Sequence, residues 1–415
     1  MTLLTLYLCL SETRRLRVGD YSVLIAPVSK FQHKMGQSLL LGCDRCLDRP
    51  LCGGLQIEAP ALSCLDHCQC ANPEKCTLVC PRNPRAFTKR IAEVNGFDLS
   101  NIDKRASLAH APIPDLVHLI YRSLPLDRSV ELDVVAIPFS EIYRRRGKLA
   151  EPRTRKELEM KYRLGPKTKI ILSGVELDNR VEQWWGSIGR RDIVRGLHDL
   201  GVVFATTPNF SLMADVPRHD NLHAMKRIAL VWSQLHDAKI PSALHLNGRT
   251  EHDFMRLREF LQCHDEIESV SFEFTTGTAS TDRGQHYVDT LARFANDVRR
   301  PLELVLRGGQ RWVEALSHHF NRVVVIDTTA CMRTVKRKRA HLSRTGRLNW
   351  EHSPTMIGAA LDELLAHNLS AVNQWITECR TTPSVARPSP QRSVPVPPSK
   401  RNLETDDESP QLSLL

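Results

Sequence analysis

The sequence lacks the features that would carry a chain into or across a membrane. No run of apolar residues approaches the roughly 20 that are needed to span a bilayer. The opening stretch, MTLLTLYLCLSETRR, is apolar but has neither the basic start nor the small-residue cleavage site of a secretory leader. We therefore expect a cytoplasmic protein with no membrane partner, in which the cysteines are kept reduced.

Short motifs that identify a reaction are also missing. The sequence contains no phosphate-binding loop, no Gly-x-Ser-x-Gly nucleophile turn and no His-Glu-x-x-His zinc helix. Its 415 residues suffice for one large barrel and an accessory module. The net charge of +10 favours a polyanionic partner such as nucleic acid.

Cysteine is unevenly distributed, and this is the strongest local signal. Of 12 cysteines, eight lie close together: Cys43, Cys46, Cys52, Cys64, Cys68, Cys70, Cys76 and Cys80. In a reducing compartment such a cluster indicates a metal site rather than disulfides. The first pair has the spacing of a zinc knuckle, and the last pair has the C-x3-C-P spacing that closes ferredoxin motifs. We expect an iron–sulfur cluster, with zinc as the alternative. In either case the metal could serve only to hold a small module together.

The middle of the chain alternates between strand-like and amphipathic helical stretches. The strand-like runs are VHLIY (117–121), DVVAIPF (133–139), KIILSG (169–174), VVFATT (202–207), SALHLN (242–247), SVSFEF (269–274), LELVLR (302–307) and RVVVID (322–327). This alternation predicts an α/β fold with parallel strands, and eight strands match a (β/α)8 barrel. The first connection is short for a crossover helix, so an incomplete barrel or an open doubly wound sheet is the alternative.

Three zones follow from this pattern. We predict a cysteine-rich metal-binding module over residues 1–110 and a barrel-like domain over 111–370. Residues 381–415 are rich in proline, serine and charge, which is typical of a disordered tail.

Polar residues at the ends of the later strands form the predicted active site. If apolar side chains face the helices, the alternate positions face the lumen. The residues expected to converge at the carboxyl end of the barrel are His245, Asn247, Glu273, Arg307 and Asp327. Such a set could supply a general acid or base and an anion clamp. The alternative is that Glu273 and Arg307 form a buried pair that only balances charge.

Two basic stretches follow the second and the last predicted strands. Their predicted nucleic-acid-binding residues are Arg144, Arg145, Arg146, Lys336, Arg337, Lys338 and Arg339. Both would lie on the rim of the barrel, where phosphate contacts would draw nucleic acid towards the mouth. The nearby Tyr143, Tyr162 and Trp350 could add base stacking. The tryptophan pair in WWGSIGRR (184–191) is more typical of a loop anchored to the core. Two solvated loops are the simpler alternative.

The segments ILSGVELDNRVEQWW and VVFATTPNFSLMADVPRHDNLHAMKRIALVWSQLHDAKIPSALHLNG resemble a family of uncharacterised proteins carried by phages and other mobile elements. The resemblance covers about residues 170–280. It implies a barrel-like α/β fold and a mobile-element setting, and it carries no activity with it. Asn209 stands where the loop of that family has an acidic residue, which argues against a metal at this loop.

Together these patterns favour a metal-cluster protein of a bacterial mobile element that modifies or processes DNA or RNA. One alternative is a non-catalytic DNA-binding protein of a plasmid or phage with purely structural zinc. A second is a small-molecule metalloenzyme whose basic charge is incidental.

The chain ends in QLSLL, which resembles the peptide by which proteins bind the bacterial sliding clamp, written Q-L-[SD]-L-F. The resemblance implies a polar contact from Gln411 and apolar contacts from Leu412, Leu414 and Leu415. Leucine at the last position replaces the commonest phenylalanine, which should weaken binding. The preceding proline-rich residues would act as a tether that raises the effective concentration.

We predict that a peptide of residues 401–415 binds the host's clamp weakly in a fluorescence-anisotropy titration. Gln411→Ala combined with Leu414→Ala should abolish this binding, because the polar anchor and one apolar contact are both lost. Absence of binding by the unaltered peptide at high micromolar clamp would contradict the prediction that QLSLL is a clamp-binding motif.

Overall fold

The structure is a computed structural model that describes most of the middle of the chain. It covers Arg90 and residues 92–121, 124–142, 154–187, 190–213, 218–275, 281–344, 346–356 and 358–381. Nearer the N-terminus it describes two short antiparallel strand pairs, Arg15–Val18 with Tyr21–Leu24 and Ser38–Leu39 with Gln56–Ile57.

Eight parallel strands close into a barrel. They are β1 (Leu116–Leu119), β2 (Val134–Pro138), β3 (Lys169–Ser173), β4 (Val202–Thr206), β5 (Ser242–His245), β6 (Ser269–Glu273), β7 (Glu303–Arg307) and β8 (Arg322–Asp327). Each strand pairs with its neighbours in chain order, and β8 pairs in parallel with β1 to close the ring. This confirms the predicted (β/α)8 barrel and excludes the open sheet.

Helices surround the barrel. They are α1 (Arg155–Tyr162), α2 (Asp178–Trp185), α3 (Arg190–Arg195), α4 (Arg218–Asp237), α5 (Glu251–Cys263), α6 (Thr281–Val298), α7 (Val313–Ser317), α8 (Thr329–Val335) and α9 (Asp362–Thr381). Short 3-10 turns lie at Leu99–Asn101, Phe139–Ile142 and Gln310–Trp312. An antiparallel hairpin of β9 (Lys338–Leu342) and β10 (Leu348–His352) separates α8 from α9. None of the described helices is long and apolar enough to cross a membrane.

Side chains alternate between two cores along the strands, except in β4, where Val202 packs in the outer core and Phe204 in the lumen. One set packs between the strands and the helices and includes Leu244, Leu304 and Val323. The other fills the lumen and includes Val305 and Val324. This is the two-residue period of a strand, and it confirms the inward and outward assignment predicted for β7.

The first connection carries no helix in its described part, residues 124–133. Helix α9 is anchored there instead. The Asp362 carboxylate accepts hydrogen bonds from the backbone N–H groups of Asp127 and Arg128, at 3.0 and 2.9 Å. The Leu361 N–H donates to the Pro125 carbonyl at 2.9 Å. The last helix therefore covers the side of the barrel that the short connection leaves without one.

The segment 90–105 lies along α4 from its first turn to its last. Arg90 forms a salt bridge with Asp220 in the first turn of α4. At the other end, Arg105 Nε donates to Asp237 Oδ1 at 2.7 Å. Because α4 begins after β4, at the carboxyl end of the strands, this segment enters on the mouth side and runs towards the opposite end.

Candidate active site at the barrel mouth

Arg307 reaches across the mouth of the barrel from the end of β7. Its Nη1 donates to the Ser173 hydroxyl at 2.7 Å, and Ser173 ends β3, four strands away in the ring. Its Nη2 lies 3.4 Å from the Tyr121 hydroxyl, just after β1. Its Nε is buried and has no hydrogen-bond partner among the described residues. The guanidinium is therefore held in place by neutral groups, which use two of its five N–H groups.

Burial lowers the pKa of Arg307, while the nearby Tyr121, Glu176 and Glu273 act in the opposite direction. The group stays cationic because the ordinary pKa of a guanidinium is far above neutrality. Burial also raises the pKa of Tyr121, so this hydroxyl keeps its proton. The mouth thus holds a desolvated positive charge, which attracts an anion more strongly than an exposed one would.

His245 lies in the lumen at the end of β5, as predicted. Its side chain is buried, and its Nδ1 lies 3.3 Å from the Ser271 hydroxyl on the neighbouring strand. Burial lowers the pKa of His245 to about 4, against the opposing charge of Glu273. The imidazole is therefore neutral at neutral pH and is able to accept a proton.

Glu273 and Arg307 are direct neighbours in the pairing of β6 with β7. The guanidinium nevertheless makes its hydrogen bonds to the hydroxyls described above rather than to this carboxylate. Glu273 accepts a short hydrogen bond from the Thr275 hydroxyl. Glu273 thus lies beside the guanidinium as a half-buried carboxylate.

Asn247 is held by the loop that follows β4. Its Nδ2 donates to the Phe210 carbonyl at 2.9 Å. In the same loop, Asn209 Oδ1 accepts from the Glu176 N–H at 2.9 Å, and the Asn209 N–H donates to the Gly174 carbonyl at 3.1 Å. Both asparagines therefore tie neighbouring mouth loops together.

Asp327 is the predicted site residue that does not face the lumen. It shares the outward side of β8 with Val323 and Val325, which pack in the outer core. Its carboxylate accepts from the backbone N–H groups of Thr329 and Ala330, at 2.9 and 3.1 Å, and so caps α8. The expectation that it lines the mouth therefore needs correction, because β8 ends on an outward position.

A His–Asp–Cys group lies beside this cap. His118 Nδ1 is 3.4 Å from Asp327 Oδ2, and Cys331 Sγ accepts from the Tyr121 N–H at 3.4 Å. Burial raises the pKa of the Cys331 thiol to about 12. The thiol is therefore protonated and unreactive, and the group holds α8 on the barrel rather than acting as a nucleophile.

Sequence reasoning missed the residues that position Arg307. Ser173 could have been found by extending the alternation to β3, where Ile171 packs in the lumen. Gly174 next to it allows a close approach, since a Cβ there would lie 2.3 Å from the Thr207 carbonyl oxygen. Tyr121 lies just beyond the end of β1 and carried no local signal.

The predicted basic rim is only partly described. Arg144, Arg145 and Arg146 lie outside the described residues. Lys336 and Arg339 are exposed. The other two, Arg337 and Lys338, are half-buried, and the first donates to the Val335 carbonyl at 2.8 Å.

The aromatic side chains expected to stack on bases do not all face solvent. Tyr162 is buried and its hydroxyl donates to Glu141 at 2.9 Å, and Trp350 packs against the outer core. These two expectations were wrong. Tyr143 lies outside the described residues. Trp184 and Trp185 are buried, which confirms the interpretation of that pair as an anchor.

The eight clustered cysteines and the terminal Gln411, Leu412, Leu414 and Leu415 lie outside the described residues. Within the described part of the chain, no group of three or more His, Cys, Asp or Glu side chains is placed to hold a metal ion. The cysteines that can be described, Cys263 and Cys331, are free thiols.

A second cluster of buried charge lies on the outside of the barrel, on α4. Arg227 makes a bidentate salt bridge with Glu182, at 2.7 and 2.9 Å, and lies 4.0 Å from the centre of the Phe210 ring. His223 Nε2 lies 2.9 Å from Glu93 Oε2. This cluster fixes the segment that begins at Arg90 to the helix layer.

The cluster shifts several pKa values. Burial, reinforced by the arginine charges, lowers the pKa of His223 to about 3 although Glu93 opposes the shift. Burial would raise the pKa of Glu93, but hydrogen bonds with His223 and Trp185 outweigh it and lower the value to about 2. Burial raises the pKa of Asp220 to about 7. The cluster is therefore sensitive to pH.

No protein-family model matches this chain, and a search of curated proteins finds no match either. The mobile-element resemblance of residues 170–280 thus stays a prediction.

We predict that His223 makes the folded state less stable as pH falls. Its pKa is lower in the folded state than its ordinary value of 6.5, so its stabilising effect is complete above pH 6.5 and is lost as pH falls towards 3. In urea unfolding at pH 7, 6 and 5, wild type should lose up to about 1.4 kcal/mol per pH unit more than His223→Gln.

The comparison cancels the opposite contribution of Asp220, because both proteins contain it. The exposed His198→Gln variant should follow wild type at every pH. Equal pH slopes for wild type and His223→Gln would contradict the prediction.

Proposed function

We propose that the barrel mouth is the active site of an enzyme that acts on nucleic acid, and that Arg307 binds a phosphate group of the substrate there. The observation that carries the proposal is the guanidinium held across the mouth by Ser173 and Tyr121, whose hydroxyls use two of its five N–H groups. A planar guanidinium matches the oxygens of a phosphate and forms strong charge-assisted hydrogen bonds with them.

Two inward-facing residues at the ends of β5 and β6, His245 and Glu273, are suited to proton transfer. His245 is neutral at neutral pH, and Glu273 is close enough to influence its titration. A neutral imidazole and a carboxylate beside a bound anion make a general acid–base pair of the usual kind. In this proposal Glu273 and His245 move the proton, and Arg307 positions the substrate and stabilises negative charge that develops on it.

Nucleic acid is the favoured substrate class because of charge. The chain has a net charge of +10, and exposed basic residues such as Lys336 and Arg339 follow the last barrel strand. Phosphate contacts of this kind supply most of the affinity of proteins for nucleic acid.

We expect Arg307→Gln to weaken binding of a short single-stranded oligonucleotide, and of inorganic phosphate, by about tenfold or more in isothermal titration calorimetry at low salt. The reason is that hydrogen bonds to a charged group contribute roughly 1.5–3 kcal/mol. Arg307→Lys should lose less, because it keeps the charge and loses only the forked geometry.

The exposed Arg195→Gln variant removes one positive charge elsewhere and serves as the matched control. Circular dichroism must show that all variants are folded. If the folded Arg307→Gln protein binds as tightly as wild type, the mouth is not used, and the non-catalytic DNA-binding alternative replaces the proposal.

We also propose that the eight clustered cysteines bind an iron–sulfur cluster or zinc close to the mouth. The supporting observation is the salt bridge of Arg90 with Asp220 on the mouth side of α4. Cys80 precedes Arg90 by ten residues, which span at most about 35 Å. A metal held by these thiolates would supply redox chemistry if it is an iron–sulfur cluster and a structural staple if it is zinc.

Anaerobic purification with a visible spectrum and metal analysis should show a broad absorbance with bound iron and sulfide. Bound zinc without colour would remove the redox role and keep the structural one. A folded protein that contains neither metal would overturn the metal proposal as a whole.

In the same proposal the C-terminal QLSLL recruits the protein to the sliding clamp of a bacterial host. This agrees with a substrate that is DNA during replication. It rests on the sequence resemblance alone, and the peptide titration described above decides it.

A further inference from the structure

The β9–β10 hairpin presents one face to the protein and the other to solvent. On the inner face, Ala340 is buried, and its cross-strand partner Trp350 packs against the outer core. On the outer face, Arg339 lies opposite Glu351, and His341 lies opposite Asn349. All four of these outer residues are exposed.

Side chains of helix α9 form hydrogen bonds with the backbone of strand β9. Asn368 is buried; its Oδ1 accepts from the Ala340 N–H, and its Nδ2 donates to the Lys338 carbonyl, both at 2.8 Å. The same Nδ2 lies 2.8 Å from the Thr334 hydroxyl of α8. His367 Nε2 lies 2.8 Å from the Ala340 carbonyl. One amide therefore satisfies two backbone groups of the strand and fixes the hairpin to the barrel.

The outer face carries side chains of the types that form hydrogen bonds with base edges in protein–DNA complexes. Arginine recognises guanine, asparagine recognises adenine, and glutamate accepts from cytosine in the major groove. The Arg339 Nη2 lies 3.0 Å from His367 Nδ1, and the Arg339 side chain is otherwise exposed in the part of the chain that the structure describes. The turn adds two exposed arginines, Arg344 and Arg347, which are suited to phosphates on either side of a groove.

The turn itself is closed by local hydrogen bonds. The Ser343 N–H donates to the Arg347 carbonyl at 2.8 Å, and the Gly346 N–H donates to the Ser343 carbonyl at 3.0 Å. Gly346 adopts a φ of +69°, the left-handed conformation that favours glycine. The two arginines thus project from a defined turn.

We propose that the β9–β10 hairpin enters the major groove of double-stranded DNA. The major groove of B-form DNA, about 12 Å wide, admits a two-stranded β-ribbon, whereas the deep and narrow major groove of A-form RNA does not admit side chains. The outer face contacts base edges, and Arg344 and Arg347 contact the backbone. This inference rests on the proposed function, since it names the form of nucleic acid that the protein binds.

The hairpin lies close in sequence to the mouth. Helix α8 lies between the end of β8 at Asp327 and the start of the hairpin. Its seven residues, Thr329–Val335, extend about 10 Å. A duplex held by the hairpin is therefore anchored beside β8.

The test measures binding of the full chain to three labelled probes of one mixed sequence: duplex DNA, single-stranded DNA and duplex RNA. Wild type should bind duplex DNA about tenfold more tightly than either other probe. Arg344→Ala combined with Arg347→Ala should weaken duplex DNA binding by about tenfold. It should also reduce the slope of log K against log salt by about two, because each phosphate contact contributes roughly 0.9 to that slope.

The matched control is Lys156→Ala with Lys167→Ala, which removes two exposed positive charges elsewhere and should leave the slope unchanged. Equal losses in both double variants, or equal affinity of wild type for all three probes, would overturn the hairpin inference while nucleic-acid binding itself survives. If wild type binds none of the probes at low salt, the proposed function fails as well.

Discussion

The barrel strands β5 to β8 give alternate side chains to the helices and to the lumen, and the composition of the mouth depends on this two-residue period. The outward positions are taken by large apolar residues such as Leu244 and Leu304, which bury the helices. Only the inward positions remain for chemistry. His245, Glu273 and Arg307 hold those positions at the ends of three consecutive strands, where Glu273 is paired with Arg307 and His245 is paired with Ser271.

Arg307 shows how a buried charge can be kept in a barrel without a direct carboxylate partner. Two neutral hydroxyls orient it, and the carboxylates act on it only through space. An arrangement of this kind is costly for folding, because the charge is taken out of water without a hydrogen-bonded ion pair. On the outside of the barrel, by contrast, Arg227 makes a bidentate salt bridge with the Glu182 carboxylate and helps to hold α2 against α4.

The strands, their order and the inward side of β5 to β7 were predictable because local alternation and length carry that information. Asp327 was misassigned because it ends a strand on an outward position, which becomes evident only when Val323 and Val325 are counted first. The pairing of Arg307 with Ser173 was not predictable, since the two lie 134 residues apart and meet only when the ring closes. The buried charge cluster on α4 was only weakly indicated by the sequence, in which Lys226 and Arg227 interrupt a largely apolar stretch.

The contacts between residues 90–105 and α4 also constrain the order in which these parts of the chain can fold during synthesis. The salt bridge of Arg90 with Asp220 cannot form until Asp220, which follows Arg90 by 130 residues, has been synthesised. At a translation rate of roughly 5–20 residues per second, this delay is on the order of ten seconds. The cysteine-rich stretch has therefore been synthesised in full before the helix that receives the adjoining segment exists.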